Sequence, residues 1–416
     1  MTFSPSDTDI LRRLFARKME IAHSEANLAL RRDWLALDNG ARHRPMILAE
    51  SGGIHDAVKP DFLWPADECR CSGESARGVE WRLLQEINRF TRLKDDHVVA
   101  PWHTVNWKVW GSGHGVEAKH HHAQNNGHLA ARNWDPALAD LDRDFHLLRP
   151  QTFSVDRGPA LREQEALSKV FDGLGPVVVR GGHFWTAGLT IHAIHLIGLE
   201  TLMLAMYDNP AGLHRVMAFL RDDMLAFTTW LEAEGLLSLN NHNDYVGSGS
   251  EGHTTRLPAE PMDGAVRRKD CWLLSESQET VGVGPELFEE FIFPYQLDVA
   301  KHYGLLYYGC CEPVHTRWHV IKKFPNLARV SVSPWCDEEA MAAACGADIV
   351  FSRKPNPTLI STAVFDEAAI RRDIAATLRA ARNCRLEIVM KDVHTLHNEP
   401  WRLARWVEIA REECGK

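Results

Sequence analysis

Residues 305–312, LLYYGCCE, decide how the chain is read: four apolar or aromatic residues in a row, then a glycine, then two thiols and a carboxylate. A short continuous apolar run closed by a turn residue is the pattern of a strand buried on both faces. The same grammar recurs along the chain, as in WLL followed by SESQE and LSL followed by NNHND. Eight such runs are read as strands: His97–Asn106, Pro176–Trp185, Leu237–Val246, Cys271–Glu279, Leu305–Glu312, Ala328–Trp335, Asp348–Pro355 and Leu386–Thr395. Between them, apolar residues recur at three- and four-residue spacing over Leu199–Tyr207, Leu213–Ala233, Pro285–Tyr303, Asp337–Cys345 and Asp366–Ala381, which predicts helices. Eight strands alternating with helices predict an α/β fold, a TIM-type (β/α)8 barrel, and no GxGxxG fingerprint favours a dinucleotide-binding sheet instead.

The barrel is expected over residues 96–416, with residues 1–95 forming a helical and irregular N-terminal extension over its mouth. That extension opens on an amphipathic helix expected at about Asp7–Leu37. Residues 111–133, GSGHGVEAKHHHAQNNGHLAARN, are rich in Gly and His and read as a long loop after the first strand, placed to act as a lid.

Composition narrows the class of partner. The chain has 416 residues and a formal net charge of −9, which argues against a nucleic-acid face or an anionic membrane surface and in favour of small molecules and proteins. Residues 1–20 hold no apolar run of signal-peptide length, and no stretch reads as a membrane span, so a cytoplasmic location is expected. Nine cysteines in a chain of this length point to free thiols or metal ligands, not to a disulfide framework.

Strand ends supply the chemistry, because a barrel builds its site at the C-terminal ends of its strands. Cys310 and Cys311, with Glu312 and with Cys336 at the end of the following strand, put soft donors within reach of one another, the donor type that selects Zn2+. Asp392 or His394 at the last strand end would complete such a site, while buried reduced thiols are the alternative. Alternation places Tyr308, Cys310 and Glu312 on one face, and Glu276 with Gln278 on another. Glu276, Asp244 and Glu312 are the carboxylates placed for acid–base work; ion pairing of Glu276 with Lys354 or Lys391 is the structural alternative. His183, Trp185, Gln278, Tyr308 and Lys354 are the expected substrate contacts. The run His120–His122 with His114 and His128 reads as a solvated loop, since adjacent histidines point in different directions.

Five segments carry a family resemblance: Asn243–Pro258, Leu274–Tyr295, Tyr307–Pro313, Ser331–Asp337 and the KPNP at Lys354–Pro357. Together they resemble the uroporphyrinogen-decarboxylase-like superfamily, in its branch of corrinoid-dependent methyltransferases and O-demethylases, over roughly residues 96–412. The resemblance implies a barrel whose mouth takes a small methylated compound, often beside a zinc held by a His-x-Cys pair and a later Cys. Here Tyr308 stands in place of that His. The implied activity is transfer of a methyl group from a small methylated compound, a methoxyaryl or methylamine type, to a corrinoid. The chain has no DxHxxG segment of its own, so the corrinoid belongs on a partner protein. A homodimer stays open, as do a lyase of the same superfamily and a non-catalytic barrel that binds a metal or small ligand. A lyase would need an arginine cluster at the mouth, where only Arg180 and Arg353 are at hand.

Overall fold

The computed structural model describes residues 2–41, 44–50, 52–60, 62, 64–122, 132–182, 184 and 186–415. Its strands are β1 (Met46–Ala49), β2 (His103–Asn106), β3 (Val109–Gly111), β4 (Lys119–His122), β5 (Arg132–Asp135), β6 (Phe153–Val155), β7 (Val177–Arg180), β8 (Tyr245–Gly247), β9 (Ser250–Glu251), β10 (Trp272–Ser275), β11 (Leu305–Tyr308), β12 (Leu327–Val332), β13 (Val350–Arg353) and β14 (Arg385–Met390). The first helices are α1 (Pro5–Ala22), α2 (Glu25–Asp38), α3 (Glu74–Asn88), α4 (Arg157–Val170), α5 (Thr190–Ile197), α6 (Leu199–Asp208) and α7 (Pro210–Ala233). The strands β10 to β14 are followed in turn by α8 (Pro285–Phe291) and α9 (Phe293–Ala300), α10 (Trp318–Ile321), α11 (Glu338–Cys345), α12 (Thr358–Ser361) and α13 (Glu367–Ala380), and α14 (Trp401–Cys414).

Six strands form one parallel sheet in the order β1-β14-β13-β12-β11-β10, and β2 pairs with β7 in a separate parallel ribbon. Among the described residues no closed barrel forms. The physical reason lies at two seams where side chains take up backbone groups that a neighbouring strand would use. On the free edge of β1, Ile47 N–H donates to Asp96 Oδ2 at 2.7 Å and Ala49 N–H to Asp95 Oδ2 at 3.1 Å. On the free edge of β10, the Asn240 amide donates to Trp272 O at 3.1 Å and accepts from Trp272 N at 2.8 Å. The expected strand at Leu237–Val246 is accordingly corrected: its LSL stretch runs beside the end of β7, with Ser238 N–H donating to Gly181 O at 3.1 Å, but only Tyr245–Gly247 is strand, paired antiparallel with β9.

Four further expectations are corrected. A strand, β1, lies inside residues 1–95 and pairs in register with β14, Met46 against Glu387, so the sheet draws on both sides of residue 95. The opening helix is two helices, broken where Ser24 Oγ accepts Asn27 N–H and caps α2. Residues 111–133 are not all loop: the strand β4 carries His120–His122 and pairs antiparallel with β5, while 123–131, with His128, lie outside the described residues. Pro285–Tyr303 is likewise split at Ile292, because Pro294 has no N–H to continue the ladder of α8.

Alternation sorts the sheet into two faces. Val330, Val332, Phe351, Leu386, Ile388 and Met390 enter the large apolar core shared with the helices. On the other face Arg329, Ser331, Ser352 and Glu387 are buried; Ser331 Oγ donates to the Cys310 carbonyl at 2.7 Å, and the others bond one another or the β8–β9 hairpin, as in Arg329 Nη1 to Ser250 Oγ at 2.7 Å and Ser250 Oγ to Glu387 Oε2 at 3.0 Å. Asp38, at the end of α2, joins this inner network at 3.4 Å from Arg329. The N-terminal helix α1 packs with α3 and α4 against Val105 of β2 and Val177 of β7. No single helix among the described residues is long and apolar enough to cross a membrane.

Candidate functional site

Parallel strands deliver their C-terminal ends to one side, and there the polar inner face ends in a cluster of reactive groups. After β11, Gly309 turns the chain at φ 95 and places Cys310 and Cys311 with their sulfurs 3.6 Å apart. After β14, Lys391 Nζ reaches Cys310 Sγ at 3.5 Å and Ser248 Oγ at 3.2 Å. Ser248 Oγ donates to Cys310 Sγ at 3.8 Å, and Cys311 Sγ donates to Asp392 Oδ2 at 3.3 Å. Ser248 and Asp392 are both held in the left-handed region, φ 43 and φ 57, which non-glycine residues occupy at a cost and which clusters at working sites.

The electrostatics follow from these contacts. The contact with the Cys311 sulfur lowers the pKa of the Cys310 thiol, burial opposes it, and the Lys391 ammonium adds to the lowering. Cys311, facing that sulfur and itself buried, is pushed up. Burial works against the charge on Lys391, but the sulfur of Cys310 with Asp392 and Glu50 pushes its pKa above the usual range. The Lys391 ammonium thus favours the thiolate form of Cys310, the form in which sulfur is a nucleophile. Lys354, at the end of β13, is drawn down to about 8 by burial, with Glu387 opposing. Tyr307, whose hydroxyl donates to Ser352 Oγ at 2.9 Å, packs beneath Lys354. Glu50, next after β1, lies beside the 248–249 turn, where a Cβ on Gly249 would come within 3.0 Å of its Oε1.

Glu276 follows β10 and is fully buried. Its Oε2 accepts Gln278 N–H at 2.9 Å, while Oε1 has no hydrogen-bond partner among the described residues. Burial, then the charges of Glu279 and Glu312, push its pKa up to about 9, so it is an uncharged carboxylic acid at neutral pH. Among the described residues no cation pairs with it: Lys354 bonds Ser352, and Lys391 bonds the Cys310 cluster. Gly188 lies directly over it, and a Cβ there would sit 2.5 Å from Oε1.

The other expected residues have different positions. Glu312 is a pin, its Oε1 accepting Ser277 N–H and its Oε2 Cys310 N–H, both at 2.8 Å, so neither oxygen is spare. Tyr308 points to the helix side, with its hydroxyl on Gln296 Oε1 at 3.3 Å, because β11 ends there and Gly309 breaks the alternation that would have joined Tyr308 to Cys310 and Glu312. Glu276 and Gln278 are likewise not on one strand face: β10 ends at Ser275 and Gln278 begins a 3-10 turn. Asp244 is held by Arg180 at 2.7 Å. Cys336 Sγ lies 3.6 Å from Ser333 Oγ and 3.9 Å from the Glu312 carbonyl, away from the two paired thiols' partners. His183 and Trp185 lie outside the described residues.

These positions bear on the expected zinc. Among the described residues no group of three or more His, Cys, Asp and Glu converges as a metal site. Cys310 is engaged by Lys391 and Ser248, Cys311 by Asp392, and Glu312 by two backbone amides, so the donors Cys310, Cys311, Glu312 and Cys336 do not fit a tetrahedral ion. Sequence reasoning missed Ser248, Glu50 and Tyr307. For Glu50 the signal was present, since MILAE has the same apolar-to-polar ending as the other strands.

No protein-family model matches the sequence, and no curated protein matches it. Among solved structures the chain is similar to a methyltransferase from Methanosarcina mazei, with 12% identity and a TM-score of 0.50 over 93% of this chain and 99% of that one. At that identity the likeness shows a shared fold that runs through nearly the whole of both chains.

Proposed function

We propose that the chain is an enzyme that takes a methyl group from a small methylated compound, of methoxyaryl or methylamine type, and passes it to a corrinoid carried by a separate partner protein. The architecture we infer for it is a TIM-type (β/α)8 barrel of the uroporphyrinogen-decarboxylase-like kind, opened at the two side-chain seams. The observation that carries the reading is Glu276, a neutral carboxylic acid with an unpartnered oxygen at a strand end. Removing a methyl group from oxygen or nitrogen leaves a basic atom, and an acid that keeps its proton at neutral pH is suited to protonate that atom as the bond breaks. The segment 186–189, with Leu189 left-handed at φ 67, covers the acid, and its displacement brings Oε1 to a leaving group. Lys391 and Cys310 keep the mouth polar, with the ammonium 3.5 Å from the sulfur. When bound, the corrinoid supplies the nucleophile that accepts the methyl group. The lyase reading loses its arginines: Arg180 pairs with Asp244, and Arg353 with Glu338 and Asp373.

The test mixes the purified protein with a reduced corrinoid protein and a panel of methylated aromatics and amines, and follows the cobalt spectrum. A change that needs both the chain and a methylated compound, and that slows in Glu276→Gln, supports the reading. No change with any methyl donor refutes it.

A further inference from the structure

A cavity of about 380 Å3 opens between the β3–β6 ribbon, α5 and α7, on the far side of the segment that covers Glu276. Its size falls in the range of sites for small organic ligands. One wall is aromatic: Phe227 lies 5.0 Å from Phe153 and 5.8 Å from Phe184, ring centre to ring centre, and Trp110 adds a further face. Flat apolar walls favour a flat apolar guest, held by offset or edge-on ring contacts.

The polar groups decide its charge. No lysine or arginine is among the described lining residues, so an anionic ligand would lack a counter-ion. Asp223 is the lining carboxylate, and its oxygens are spoken for: Oδ1 accepts Gln151 N–H at 2.9 Å, and Oδ2 accepts the Gln151 amide at 2.6 Å and faces His114 Nε2 at 3.1 Å. A cation would reach the carboxylate only by competing with these donors. His192, in the first turns of α5, is different. It lines the cavity, is half-buried, and has no hydrogen bond to a described residue. Burial, with His114 and His195 nearby, lowers its pKa, which keeps the ring neutral with one nitrogen free to accept.

We propose that this cavity binds an uncharged aromatic molecule bearing a hydroxyl group, its ring against Phe153, Phe184 and Phe227 and its hydroxyl donating to His192. The cavity lining does not include Cys310, Cys311 or Lys391, and its occupancy does not depend on what reaction the chain performs.

The experiment is isothermal titration of the full chain near neutral pH with 2-naphthol as the probe. Naphthalene-2-carboxylate and phenyltrimethylammonium serve as anionic and cationic counterparts. One equivalent of 2-naphthol is expected to bind, with both charged probes weaker by about tenfold or more. Filling the cavity from the α7 wall by Met224→Trp, or from the α5 wall by Ile191→Trp, is expected to weaken 2-naphthol by about tenfold in whichever variant keeps the wild-type melting curve. His192→Phe keeps the apolar volume and loses the acceptor, for an expected loss of about fivefold. Failure of 2-naphthol to bind, equal binding of a charged probe, or unchanged binding in a folded filling variant would overturn the proposal. None of these readouts involves methyl transfer, so they are distinct from the test of the proposed reaction.

Discussion

Replacing Glu276 with Gln is expected to make the protein more stable, by an amount that depends on pH. Unfolded, the carboxyl titrates near its ordinary value of 4.5; folded, it keeps its proton up to about 9. Between those values the folded state binds more protons than the unfolded state, so stability falls as pH rises through the window. At pH 7 the span is roughly 2.5 pH units, which at about 1.4 kcal/mol per unit costs the wild type about 3 kcal/mol. Gln cannot ionise in either state and is free of that cost. Its amide occupies the position of the unpartnered Oε1 as the carboxylic acid does, so the remaining terms nearly cancel. An unfolding entropy of about 2 cal/mol/K per residue gives a chain of 416 residues roughly 0.9 kcal/mol/K, so Glu276→Gln should melt about 3 °C higher at pH 7. At pH 5 the gain should shrink to below about 1 °C. Scanning calorimetry of both proteins at pH 5, 6, 7 and 8 is the assay. A melting temperature that falls by several degrees, or a difference that is flat with pH, would refute the reasoning, since either means the folded carboxylate is charged and paired. In the cobalt assay the same variant is expected to lose on the order of a hundredfold in turnover.

Other outcomes follow from the same geometry. Alkylation of Cys310 by iodoacetamide, read by peptide mass spectrometry against pH, should set in below the range of an ordinary thiol, and Lys391→Met should move that onset upward because the thiolate loses its ammonium; no movement would show that Lys391 does not support the charge. Asn240→Ala removes the amide that closes the edge of β10 and should cost about 2 kcal/mol in urea unfolding, while a change below about 0.5 kcal/mol would mean that the seam bears little stability. Dialysis against a chelator should leave the melting temperature unchanged, because no three donors converge among the described residues; a fall of several degrees with release of a stoichiometric metal ion would show that the thiols assemble a site.

Strand positions were legible because burial on both faces demands an unbroken apolar run, and LLYY and WLLS record that demand without reference to any partner. The reactive strand ends were legible for the same reason: Cys310, Glu276 and Lys354 stand where apolar sequence stops. Their directions were not. Whether Tyr308 or Tyr307 faces the inner side depends on where β11 ends, and Gly309 at φ 95 resets the alternation that the sequence alone would continue. Partners were hidden too, since Lys391 lies 81 residues from Cys310 and Ser248 lies 62 from it, and only folding brings them within hydrogen-bond reach.

The sequence by itself determined the alternation of parallel strands and helices and the polar chemistry at the strand ends, because both depend on local runs of residue type. Tertiary structure alone decided whether the strands close into a ring, because closure depends on which groups claim two edges. Asp95, Asp96 and Asn240 fill those edges with side-chain hydrogen bonds, and a carboxylate or amide in a polar stretch carries no local mark of the backbone group that it will occupy. Glu276 shows the same division in its charge: its position was readable, but its proton is set by Gly188 and the acids packed around it.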